Sequence, residues 1–132
     1  MTQAAFFVLT ALVDEPRHGY GIVQVVDELS EGHVQLRIGT LYGVLDRLAA
    51  DGHIELDREE VQQGRLRKYY RLTDAGGAAL SAEAERMAAG ARAATQRMAA
   101  HRPPAPGPAH TTGGPAPASR SVRRPGIAGG TA

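Results

Sequence analysis

Four cations stand within seven residues at Arg65, Arg67, Lys68 and Arg71, beside Gly64. So dense a cluster on one short segment suits neutralisation of phosphates, the sequence-independent part of nucleic-acid binding. The alternative for these side chains is a solvated charged strand, partly paired with Glu59 and Glu60. Other chemistry has little support. The five histidines, His18, His33, His53, His101 and His110, show no i, i+3 or i, i+4 pairing with one another. With no cysteine to complete a site, no metal ligand set is expected. Neither a nucleophile elbow, a paired-histidine zinc motif nor a phosphate-cradling glycine loop occurs, so no catalytic residue and no cofactor is assigned.

The elements that must position those cations follow from periodicity. Ala5, Val8, Leu9 and Leu12 fall at i, i+3, i+4, i+7, and Phe6, Phe7 and Val13 cover the other faces, which predicts a first helix apolar nearly all round, ended by Pro16. Ile22, Val25, Val26 and Leu29 repeat the spacing in a second helix after His18-Gly19. Leu41, Val44, Leu45 and Leu48 repeat it in a third, with Thr40 as the expected N-cap and Asp51-Gly52 as the stop. From His53 the period becomes two. Ile54 and Leu56 alternate with Glu55 and Asp57, and beyond Gln62-Gln63-Gly64 the residues Lys68, Tyr70 and Leu72 alternate with Arg67, Tyr69 and Arg71. Within this antiparallel hairpin Tyr70 is expected in the core with Leu72, leaving Tyr69 to reach a nucleic-acid backbone. Thr73-Asp74 opens a final Ala-rich helix. The fold class is therefore mainly α with a small β-hairpin, in the order of a winged helix-turn-helix domain followed by a C-terminal helix.

The motifs themselves resemble the PadR-type transcriptional regulators: Pro16-Arg17-His18-Gly19-Tyr20, Gly39-Thr40-Leu41-Tyr42, Leu45-Asp46-Arg47-Leu48, Asp51-Gly52-His53-Ile54, and the run from Arg67 through Gly76. The resemblance covers about residues 4 to 80. It implies a homodimeric winged-helix repressor that binds double-stranded DNA, with a C-terminal dimerisation helix and, in some members, a small-molecule inducer. Ile38 stands where the family commonly has Pro or Ser, Gly43 follows Tyr42, and Asp46 puts an acid on the third helix. The side chains left to face a groove are Thr40, Tyr42 and Arg47, with Arg37 just upstream. Tyr20 at the start of the second helix is a phosphate candidate, and Arg65, Arg67 and Lys68 complete the expected DNA contacts.

Domain organisation is read as residues 1–73 for the winged helix-turn-helix, 74–101 for the dimerisation helix and 102–132 for a disordered tail. In the last helix Leu80, Ala84, Met87, Ala91, Ala94 and Met98 form a heptad seam in which alanine occupies half the positions. So thin a seam cannot hold a dimer alone. Phe6, Phe7 or Val13 of the first helix is expected to join Leu80, Met87 and Met98 in the interface. The tail has seven Pro and six Gly among 31 residues, a composition that cannot offset its conformational entropy. Its Arg120, Arg123 and Arg124 could touch nucleic acid. Residues 1–101 carry 11 Lys and Arg against 14 Asp and Glu, a net of −3, while the tail carries four Arg and no acid. The apolar run Ala4 to Val13 has no preceding cation and half the length of a membrane span, which suggests a soluble, cytoplasmic protein with no membrane partner. A rival function from another class is a winged-helix interaction module that does not bind DNA specifically, which the acidic body and sparse third helix would permit.

Overall fold

The structure, a computed structural model, describes residues 1–103. The expected tail lies outside the described residues apart from Arg102 and Pro103. Four helices and three strands follow in the order α1 (Gln3–Ala11), β1 (Arg17–His18), α2 (Gly19–Leu29), α3 (Ile38–Ala50), β2 (Ile54–Gln62), β3 (Arg65–Leu72) and α4 (Asp74–Ala100). The chain divides into two units, Met1–Arg92 and Ala93–Ala132, and the core and the sheet belong to the first.

Three of the four helix starts are set by a side-chain acceptor on the residue before the helix. The Thr2 hydroxyl accepts from the Ala5 N–H at 3.0 Å, His18 Nδ1 from the Gly21 N–H at 3.4 Å, and the Thr73 hydroxyl from the Gly76 N–H at 3.0 Å. The start of α3 departs from expectation. Its N-cap is Arg37, whose side chain makes no capping bond, and Thr40 already sits inside the first turn. Ile38 explains the earlier start, because its side chain packs against the core and draws its own residue into the helix.

α1 also stops earlier than expected. It ends at Ala11 rather than at Pro16, so Val13 lies beyond the helix, exposed, and does not share a helical face with Phe6 and Phe7. Arg17 accounts for part of this, since its Nε donates to the Ala11 carbonyl at 2.8 Å while a terminal nitrogen pairs with Asp14 at 3.1 Å. The same residue opens β1. That two-residue strand is an addition to the expected hairpin. It pairs antiparallel with β3, Arg17 opposite Tyr70 and His18 opposite Tyr69, and makes a three-stranded sheet of order β1-β3-β2.

The core is aliphatic. Val8, Leu9, Leu12, Ile22, Val26, Leu41, Leu45, Leu48 and Ile54 are buried together, and Tyr70, Leu72 and Leu80 pack against them. Between α2 and α3 the buried Ser30 holds the connection, its Oγ accepting from the Val34 N–H at 2.9 Å. β2 and β3 pair from Ile54 opposite Leu72 to Gln62 opposite Arg65, with a register shift between Leu56 and Arg58 that leaves Asp57 bulged. Gln63 and Gly64 close the hairpin with φ of 53° and 78°, the left-handed pair of a two-residue type I′ turn.

Candidate nucleic-acid interface

Three elements converge on one exposed surface. The first is α3. Leu41, Leu45 and Leu48 turn its inner face to the core. With 3.6 residues per turn, the opposite stripe carries Gly39, Gly43, Asp46 and Ala50, all exposed. A Cβ at Gly39 or Gly43 would meet nothing within 4 Å, so the middle of this face is bare backbone with one carboxylate. The expected contact residues flank it. Tyr42 lies on one side, where its hydroxyl would be 3.2 Å from a Cβ at Gly19. Thr40 and Arg47 lie on the other side. They border a cavity of about 890 Å³ that Ala5, Leu48, His53 and Arg86 also line. His53 Nδ1 is buried without a hydrogen-bond partner among the described residues. Arg37, at the cap, is exposed.

The second element is the start of α2, where Tyr20 is exposed and His18 is the cap. The third is the hairpin, whose Arg67 ties it to α2. An Arg67 N–H donates to His18 Nδ1 at 3.2 Å, and the guanidinium lies 5.7 Å from the centre of the Tyr20 ring. Two donors aimed at Nδ1, Gly21 and Arg67, require the tautomer with its hydrogen on Nε2. Burial first, and then the neighbouring Arg67 charge, hold the ring below the ordinary imidazole pKa of 6.5. Arg67 is therefore no free cation at a wing tip. It is half-buried, with Nε enclosed and unpartnered among the described residues.

Arg65 and Lys68 are exposed. Among the described residues, neither they nor Arg67 take part in an ion pair, and Glu60 is instead held by Arg58 at 2.6 Å on its own strand. That bond draws the Glu60 carboxyl below the ordinary carboxylate range.

The two tyrosines divide differently from expectation. Tyr70 does pack on the core with Leu72, and burial, with Tyr42 and Asp46 nearby, raises its hydroxyl above the ordinary value. Tyr69 is the more buried of the two and does not reach outward. His18 meets its ring edge-on at 5.2 Å, Arg58 stacks over it at 4.0 Å, and its hydroxyl accepts from Gln62 Nε2 at 3.0 Å. Alternation places Tyr69 on the outer face correctly. What it cannot indicate is that β1 brings His18 alongside, or that the Asp57 bulge shifts Arg58 into register with Tyr69. Arg58 is thus the positioning residue that periodicity missed.

Of the expected interface residues, Leu80 is half-buried against the core of its own chain, whereas Met87 and Met98 are exposed. Phe6 and Phe7 are half-buried and meet edge-to-face at 5.4 Å. No helix among the described residues is long and apolar enough to cross a membrane.

Residues 8–82 match the family model of the PadR-like transcriptional regulators. A transcriptional regulator from Mycobacterium tuberculosis is 40% identical over 74 residues, 56% of this chain and 65% of that one, so the chain spans just under two thirds of that relative. The crystal structure of a PadR family transcription regulator from Clostridium difficile R20291 has the same fold. Its TM-score is 0.61 at 21% identity, over 74% of this chain and 99% of that one. Bacillus subtilis PadR, solved in complex with operator DNA, gives a TM-score of 0.53 at 26% identity, over 58% of this chain and 44% of that one.

Proposed function

This chain belongs to the PadR-like family of transcriptional regulators, and from that premise we propose that it is a cytoplasmic repressor that binds an inverted-repeat operator as a homodimer. The observation that carries the DNA contacts is the meeting of α3, the α2 start and the hairpin through Tyr42, Gly19, Tyr20, His18 and Arg67. α3 lies in the major groove, with Arg37, Thr40, Tyr42 and Arg47 toward the bases. Tyr20, Arg65, Arg67 and Lys68 hold phosphates on either side. Two copies joined through α4 set their α3 helices about 34 Å apart, one turn of the duplex. Met87 and Met98 supply the sizeable seam side chains, and Phe6 and Phe7 of α1 join the interface between the copies. Leu80, committed to its own core, contributes less, as does Val13. An inducer, where one acts, occupies the cavity beside α3, because a ligand there touches Thr40 and Arg47 directly.

The bare stripe of Gly39, Gly43, Asp46 and Ala50 supports the second reading, a winged-helix module that works through protein contacts. A mobility-shift titration against the DNA upstream of the protein's own gene separates the two. A repressor shows a specific complex that T40A or R47A erodes by about 1–3 kcal/mol per contact, with random-DNA affinity nearly unchanged. Equal affinity for upstream and random DNA in wild type and variants favours the protein-contact module.

A further inference from the structure

Glycine inside a helix weakens it relative to alanine, so each such glycine calls for a reason. At Gly76 in α4 the reason is internal, because a Cβ there would collide with the His53 carbonyl. No internal reason holds at Gly39 or Gly43 in α3. A Cβ at either would meet nothing within 4 Å, and neither has a positive φ. The two stand about one turn apart on the exposed stripe that continues through Asp46 and Ala50. Their own chain leaves that space empty, which suits a partner that approaches the helix backbone closely. The major groove of B-DNA is about 12 Å wide and a helix with its side chains about 10–12 Å across, so a face stripped of side chains settles deeper.

Asp46 is the charged side chain of this stripe. It is exposed and takes part in no ion pair among the described residues. Helical side chains lean toward the N-terminus, over the residues three and four places earlier, which here are Gly43 and Tyr42. A carboxylate accepts hydrogen bonds and donates none, so close to phosphates it is repelled unless it meets a donor. The donors in the major groove are two exocyclic amino groups, N4 of cytosine and N6 of adenine. Guanine offers the acceptors O6 and N7, and thymine an acceptor and a methyl group. Adenine sets its N7 acceptor beside N6, so a carboxylate that bonds the amino group also faces a lone pair. Cytosine presents N4 with no acceptor beside it.

Resting on the DNA-binding reading of α3, we infer that Asp46 reads a cytosine, its carboxylate accepting from N4 at one position of each half-site. Gly39 and Gly43 set the depth at which so short a side chain reaches the base edge. Asp46 thereby joins Arg37, Thr40, Tyr42 and Arg47 as a specificity determinant, with the opposite demand on the DNA. Arg37 and Arg47 match guanine O6 and N7. The same atoms repel Asp46, which therefore selects against guanine as well as for cytosine. An acid that looks unfavourable on a helix facing a polyanion thus becomes a source of discrimination, because the cost of its charge is offset at one base alone.

The test selects duplexes from a library of about 20 random base pairs, two turns of DNA, with the full chain, D46N and G43A, and sequences what each retains. Wild type should retain a motif with cytosine at one position of each half-site. D46N keeps the size of the side chain and adds donors, so it should exchange that cytosine for adenine, whose N6 and N7 it matches, and leave the rest of the motif unchanged. On two duplexes that differ in this base pair, fluorescence anisotropy should show wild type preferring cytosine about tenfold and D46N preferring adenine about tenfold. G43A should melt no lower than wild type, because its Cβ has room and alanine favours the helix, yet bind both duplexes about tenfold more weakly. One motif shared by wild type and D46N overturns the inference. So does a D46N protein that binds every sequence more tightly by one factor, which reduces Asp46 to a charge among phosphates, and so does a G43A protein that binds as tightly as wild type. Wild type that retains no motif overturns the DNA-binding reading itself and leaves the stripe to a protein contact.

Discussion

Replacing Gly76 by alanine tests how α4 is seated. Gly76 is buried in the first turn of α4, and a Cβ there would fall inside the envelope of the His53 carbonyl oxygen, 2.9 Å from the His53 carbonyl carbon and 2.9 Å from Leu72 Cδ1. That carbonyl is already engaged, accepting from the Thr73 N–H at 3.1 Å, and Thr73 is in turn the cap of α4. Relief requires the helix to back away by about 1 Å, which a close-packed interior resists. Overpacking of this kind costs about 3 kcal/mol, and the better helix propensity of alanine returns about 1 kcal/mol. The net loss of about 2 kcal/mol lowers the melting temperature by about 10 °C. Gly77→Ala is the internal control, because a Cβ there meets only Leu72 Cδ2, at an ordinary 3.8 Å, and should raise the melting temperature by about 5 °C through propensity alone. Both variants are melted by circular dichroism at one protein concentration, since any association between copies would make the midpoint concentration-dependent. A Gly76→Ala protein that melts within about 2 °C of wild type would refute the close seating of α4 on His53.

Further expectations concern charge and assembly. R65Q/K68Q should weaken binding to specific and random DNA alike and reduce the slope of log K against log salt by about 1.8, or about 0.9 for each phosphate left without its cation; an unchanged slope returns both cations to a solvated face. The folded chain holds His18 neutral below its ordinary 6.5, so on acidification the unfolded chain takes up the proton first. Stability from this source is intact above about pH 6.5 and declines as pH falls below it. Denaturant midpoints measured from pH 7.5 to 5 should fall more steeply for wild type than for H18N, and parallel curves would contradict the depressed pKa. Met87 is exposed on the single chain, so Met87→Asp should leave the fold intact while placing an unpaired carboxylate in the α4 seam at a cost of several kcal/mol. Sedimentation should then show monomer, and a persisting dimer would remove Met87 from the interface.

What the residues alone foretell is what local periodicity encodes. Leu41, Leu45 and Leu48 identify their own helix face, and Lys68, Tyr70 and Leu72 separate correctly from Arg67, Tyr69 and Arg71, because spacing along one element decides both. The departures come from contacts between one element and another. β1 is two residues long and has no period to detect; it exists because Arg17 and His18 lie alongside Tyr70 and Tyr69. Tyr69 is buried because that pairing and the Asp57 bulge deliver His18 and Arg58 to its ring. The early end of α1 depends on Arg17 reaching back to the Ala11 carbonyl, six residues away. Residue type singles out the candidate DNA contacts, but type does not reveal that Arg67 is tied to His18.

The order β1-β3-β2 leaves β2 at the margin of the sheet with one side of its backbone unpaired. A nine-residue open margin invites another chain to add a strand, the first step toward aggregates. Here the Asp57 bulge interrupts the straight run of donors and acceptors, and Glu55, Asp57, Arg58, Glu59 and Glu60 crowd the same stretch with charge. An incoming strand would have to match a broken register and bring neighbours tolerant of that charge at more than half of the positions. The bulge that seats Arg58 over Tyr69 thus also keeps separate molecules from zipping together along β2.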